Sequence, residues 1–89
     1  MNYQEFIGEV KALNLNWFVI GKGYIRCRNG DCPITALIRA KKLVKYPNNM
    51  KYRNQGIKLG LSNDDINSII LESDNPNFYS NLYKALINK

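Results

Sequence analysis

The chain has 89 residues, 45% of them apolar and 22% charged, with 13 Lys and Arg against 7 Asp and Glu, no His and a net charge of +6. This length suits one small domain, and the missing His removes the commonest general base, proton shuttle and metal ligand. No apolar run approaches the roughly 18 residues needed to cross a bilayer, and the opening Met1-Asn2-Tyr3-Gln4-Glu5 lacks the basic stretch of a secretory signal, so a cytoplasmic location is expected.

Tyr3, Phe6, Ile7, Val10 and Leu13 recur at spacings of three and four, which predicts a helix over 1–14 with one apolar face. Asn2 and Glu5 stand three apart at its start, the spacing of a reciprocal cap. Trp17 to Ile20 and Tyr24 to Arg28, separated by Gly21-Lys22-Gly23, read as a β-hairpin over 16–28. Alternation in the second strand puts Tyr24, Arg26 and Arg28 on one face, expected to be wet, and Ile25 and Cys27 on the other. Asn29-Gly30 should end that strand.

Pro33 opens a predicted helix over 33–46, closed by the approach of Pro47. Ile34, Leu37, Ile38, Ala40, Leu43 and Val44 make its expected buried side. Thr35, Arg39, Lys42 and Lys45 follow at helical spacing, an exposed stripe with three cations. Residues 52–88 read as helical throughout. A short helix from Tyr52 stops at Gly60, Ser62 caps another to Ser73, and a last helix runs from Pro76 towards Ile87 with Phe78, Tyr79, Leu82, Tyr83 and Leu86 available for packing. One N-terminal helix, a hairpin and about four further helices make a small α+β domain over 1–89.

Charge is segregated along this order. Between Gly21 and Lys58 ten cations face Asp31 alone, while both flanking segments are net acidic. A strip of one sign favours a polyanion. Arg26, Arg28, Arg39, Lys42 and Lys45 are therefore the candidate phosphate contacts, with Tyr24 as a group on which a base can stack. An acidic protein surface suits the same charge, as in an inhibitor or modulator of a host protein, and a merely solvated basic surface is the third reading.

Catalytic chemistry finds little support. Asp64 and Asp65 are adjacent on a helix and point about 100° apart; in a first turn they offset the positive end of the dipole. Cys27 and Cys32 are spaced C-x4-C with no second pair, too few ligands for a tetrahedral zinc site, and read as reduced thiols packed as small hydrophobes. No Gly-rich phosphate loop is present. The expectation is a non-enzymatic protein without metal or cofactor.

Gly56, the sequence Leu59-Gly60-Leu61, and Ile66 with Ile69 sit where a helix-turn-helix unit places its close approach, its turn and its buried positions, so the segment from Tyr52 to Leu71 resembles such a unit. The leading residues of its second helix, Asn63, Asp64, Asp65, Asn67 and Ser68, include two carboxylates that a phosphate-lined groove repels. More widely, Arg28, Gly30, Cys32, Pro33 and Ala36, followed by Leu59-Gly60-Leu61-Ser62, Asp65, Ile69 and Ser73-Asp74-Asn75, look like short uncharacterised proteins encoded by bacteriophages and prophages. That resemblance implies a small accessory protein acting in a host cytoplasm and carries no catalytic residue.

Overall fold

A computed structural model describes residues 1–21, 23–76 and 80–87. Helix α1 spans Tyr3–Ala12. Its cap is reciprocal, as the spacing predicts: Asn2 Oδ1 accepts from the Glu5 N–H at 2.8 Å, and Glu5 Oε1 accepts from the Asn2 N–H at 3.2 Å. Asn14, at φ 53, turns the chain out of the helix, a conformation Asn tolerates better than most residues. The strands β1, Trp17–Ile20, and β2, Tyr24–Cys27, pair antiparallel with Trp17 opposite Cys27, Phe18 opposite Arg26, Val19 opposite Ile25 and Ile20 opposite Tyr24.

Four helices follow. They are α2, Pro33–Lys41; α3, Tyr52–Lys58; α4, Asn63–Asp74; and α5, Asn81–Leu86. A 3-10 turn at Pro47–Asn49 stands between α2 and α3. The α+β architecture and the order of its elements thus agree with the sequence reading, and two boundaries differ. Helix α2 ends at Lys41 and not near Tyr46. Helix α5 begins behind Ser80, whose Oγ accepts from the Tyr83 N–H at 3.0 Å, and not at Pro76; Phe78 and Tyr79 lie outside the described residues.

One core joins these elements. Phe6 and Val10 from α1, Ile25 from β2, Ile34, Leu37 and Ile38 from α2, Ile66 and Ile69 from α4, and Leu82 and Leu86 from α5 are all buried in it. Each such side chain contributes about 1.5–3 kcal/mol relative to exposure. Helix α2 packs on α1, α3 and β2, whereas α4 packs on α3, α5 and β2. The strand β2 is therefore held from both sides. Both cysteines are buried and free. No helix among the described residues is long and apolar enough to cross a membrane.

Helix α3 supplies almost no apolar side chain to the core. Its buried residues are Gln55 and Gly56. Gly56 lets α4 approach: a Cβ there would meet Ile66 Cγ1 at 2.5 Å. Gln55 works through hydrogen bonds. Its Oε1 accepts from Thr35 Oγ1 at 2.7 Å, and its Nε2 donates to the Pro47 and Met50 carbonyls, each at 2.9 Å. Thr35 is consequently buried at the start of α2 and not on the exposed stripe expected for it.

Candidate nucleic-acid interface

The basic side of α2 is built by a turn as much as by a helix. Lys42 takes a left-handed conformation, φ 55 and ψ 35. The Lys42 N–H bonds the Arg39 carbonyl at 3.1 Å and the Leu43 N–H bonds the Ile38 carbonyl at 3.3 Å, the paired closure of a Schellman motif. The expected stripe of Arg39, Lys42 and Lys45 on one helix is thus corrected, and so is the buried side expected beyond Ile38. Ala40 and Leu43 are exposed and Val44 is half-buried.

The cause of the early stop is tertiary. Pro47 is buried, its carbonyl is held by Gln55, and the 3-10 turn packs back on α2. Continuing the helix to Tyr46 would carry the chain about 7.5 Å onward along the α2 axis, away from that seat. Intrinsic helix preference differs by tenths of a kcal/mol among these residues and yields to such a demand.

The turn nevertheless gathers the three cations. Arg39, Lys42 and Lys45 line one concavity of about 430 Å³ together with Val44. Arg39 is braced, its Nε donating to Asp31 Oδ2 at 2.7 Å, while its side chain stays 42% exposed. Lys45 Nζ lies 5.4 Å from the centre of the Tyr46 ring, and Tyr46 is 62% exposed. An accessible aromatic ring thus stands beside the cations, a feature that the reading of this stretch as helix concealed.

The hairpin group is arranged differently. Arg26 was expected on a wet face, yet its side chain is only 15% exposed. Its guanidinium lies 5.3 Å from the Tyr24 ring centre, Nη1 donates to the Ile25 carbonyl at 2.9 Å, and Nη2 lies 3.9 Å from Asp74 Oδ1 at the end of α4. Arg26 is therefore pinned between the sheet and α4. Tyr24 and Arg28 are exposed. Register adds Phe18 and Ile20 to the Tyr24 face, both exposed and apolar; alternation in β1 contains that signal. Asp31 links the two groups, since its carbonyl accepts from the Cys27 N–H at 3.0 Å while its carboxylate holds Arg39.

Beneath Arg26, the Tyr52 hydroxyl is pushed up to about 12, first by burial and then by the neighbouring Cys32 thiol, with Arg26 acting the other way. Cys32 Sγ caps α2 by accepting from the Thr35 N–H at 3.5 Å. These groups brace α2 against α3. A similar brace joins α1 and α4, where the Tyr3 hydroxyl donates to Glu72; burial and then that carboxylate raise the Tyr3 phenol above its ordinary range.

The α3–α4 pair has the close approach expected of a helix-turn-helix. Arg53, however, spans it, donating to Asn63 Oδ1 at 3.1 Å and to Asn67 Oδ1 at 2.7 Å. Two of the polar residues that would lead a reading helix are thereby engaged with α3. Asp65 uses its N–H in the Ser62 cap, at 3.2 Å from Oγ. Among the described residues no group of three or more His, Cys, Asp or Glu could hold a metal ion. Compared with protein families, curated proteins and solved structures, the chain matches none.

Proposed function

We propose that this protein binds nucleic acid through phosphate contacts at the turn that follows α2, with low sequence specificity. The observation that carries the reading is the concavity shared by Arg39, Lys42 and Lys45 with the exposed Tyr46 ring at its side. Lysines suit phosphates as mobile point charges, a braced arginine offers a fixed fork, and an accessible aromatic accepts an unpaired base. Arg28 and Tyr24 extend the contact along the hairpin. A role as a small accessory protein of the phage kind belongs to the same proposal and rests on the sequence resemblance alone.

Fluorescence-anisotropy titration of duplex DNA, single-stranded DNA and RNA at several salt concentrations tests it. The three cations of the turn give a duplex log–log slope of about −2.7, and Arg28 brings it to about −3.6. Replacing Lys42 and Lys45 with Gln should weaken binding to every sequence and lower that slope by about 1.8. These two lysines are preferable to Arg39 as targets, because removing Arg39 also strands the buried Asp31. No binding at low salt, or an unchanged slope in the double variant, overturns the reading.

An acidic protein partner is the second reading. It is favoured by the exposed Phe18 and Ile20, which share the Tyr24 face of the hairpin, since neighbouring exposed apolar side chains mark protein contacts more than phosphate contacts. It predicts a stable complex with one protein and no affinity for naked nucleic acid.

A further inference from the structure

Among the described residues, β1 is the open edge of a sheet of two strands. The Cys27 N–H donates to the Asp31 carbonyl at 3.0 Å and so points away from β1, whereas the Arg28 N–H donates to the Asn16 carbonyl at 3.1 Å across the hairpin. In an antiparallel ladder this direction alternates from residue to residue. Phe18 and Ile20 therefore turn their backbone groups to β2, and Trp17 and Val19 each turn an N–H and a carbonyl to the outer edge. Among the described residues no hydrogen bond reaches these four groups.

The core layer stops at the same edge. Alternation puts Val19 on the side of Ile25, which is wholly buried, yet Val19 is 40% exposed. Phe18 and Ile20 are exposed on the opposite side. Proteins usually blunt such an edge with a charge, a proline or a bulge, and β1 has none of these.

Unpaired backbone groups along an extended segment call for another strand, and a second copy of this chain fits. Two copies at +6 each repel on the whole. Residues 12–21, however, carry no charge, and Arg26, the one ionic side chain of the two strands, is met by Asp74. The edge is thus where one copy can approach another without opposing like charges.

We propose that the protein forms a two-fold dimer by antiparallel pairing of β1 with β1 of a second copy, giving a four-stranded sheet in the order β2-β1-β1-β2. A two-fold centred on Phe18 sets Trp17 of each copy opposite Val19 of the other, and the outward groups then form four hydrogen bonds between the chains. The two Phe18 residues face each other as a close pair, with Cα atoms about 4.5 Å apart, and Val19 gains Trp17 as its neighbour. This interface is isologous and does not depend on the turn after α2.

Sedimentation equilibrium from about 1 μM to 1 mM should show a monomer–dimer equilibrium half-associated at about 10–100 μM, as suits a small interface. Val19→Pro removes one outward N–H and none that faces β2, so the variant should fold and need a concentration about tenfold higher to associate. Phe18→Glu and Phe18→Lys, at an exposed position, each oppose like charges across the two-fold and should weaken association to the same extent. An equimolar mixture of these two should associate about tenfold more tightly than either alone, because the opposed charges then attract. If Val19→Pro fails to fold, the Phe18 variants decide. A parent chain still monomeric at about 1 mM overturns the proposal, as does a dimer left intact by Val19→Pro or Phe18→Glu, or a mixture that associates no better than its components.

Discussion

Helices α2 and α3 end on the same pair of backbone hydrogen bonds, with different residues in the left-handed position. At the end of α3 that residue is Gly60, φ 85, with the Gly60 N–H on the Ile57 carbonyl at 2.9 Å and the Leu61 N–H on the Gly56 carbonyl at 3.1 Å. At the end of α2 it is Lys42. Glycine adopts this conformation at little steric cost, whereas a residue with a Cβ is strained by roughly 1–2 kcal/mol. The α3–α4 turn is thus made by its own residues, and the α2 turn is imposed by what lies beyond it. Imposed strain of this kind collects where a surface is used, and Lys42 is also a proposed phosphate contact.

The largest expected effect tests the imposition. Gln55→Ala removes three hydrogen bonds, from the Thr35 hydroxyl, which keeps Cys32 Sγ, from the Pro47 carbonyl, which keeps the Met50 N–H, and from the Met50 carbonyl, and chemical denaturation should show a loss of about 2–4 kcal/mol. A loss no larger than that of a surface substitution would break the account of why α2 stops early. Next is Gly56→Ala, expected to cost about 1–3 kcal/mol by overpacking against Ile66. In a double-mutant cycle with Ile66→Ala most of that cost should disappear, since the clash is with this one side chain.

The two turn residues make a pair with opposite signs. Gly60→Ala should destabilise by about 1–2 kcal/mol. Lys42→Gly should stabilise by about 0.5–1 kcal/mol, the relief of strain being partly offset by the greater freedom of glycine in the unfolded chain. Nucleic-acid affinity should nonetheless fall in Lys42→Gly, because the same change removes a cation. A rise in thermal midpoint together with a fall in affinity would sharpen the comparison, and parallel changes would break it.

The smallest effect is in pH. The Tyr52 phenol ionises near 10.0 when unfolded and near 12 in the folded chain. Its contribution to stability is therefore complete below pH 10 and is lost as pH rises towards 12. Tyr52→Phe should flatten that part of the decline, measured as the difference in thermal midpoint between pH 9 and pH 11.

What could be read in the sequence followed from residues that carry their own geometry. Asn2 with Glu5, Gly60 and Ser62 each name a helix end, and Trp17 to Ile20 names a strand, so the order of elements was legible. Lys42 names nothing. It is chemically a helix former and takes the left-handed position because Pro47 has to be seated under Gln55. Gln55 and Thr35 look like surface residues for a related reason: their burial is compensated by each other across 20 positions, a pairing that no local spacing reveals. At α5 the proline at position 76 is the start signal that the sequence reading follows, and Ser80 makes the cap instead. In the candidate site the residue types were legible and their gathering was not. Arg39, Lys42 and Lys45 meet across a turn, Arg26 is drawn under Asp74, and Tyr46 emerges as the aromatic neighbour.

The packing of α1 against α5 has a consequence for the newly made chain. Phe6 and Val10 share their core with Leu82 and Leu86, so the first helix cannot finish burying its apolar face until the last one has been synthesised. At roughly 5–20 residues per second that interval is about 4 to 15 s. For that time the nascent polypeptide presents an unfinished hydrophobic surface, a natural point of engagement for chaperones. Contacts between such distant segments also raise the contact order and slow folding relative to a bundle of locally paired helices.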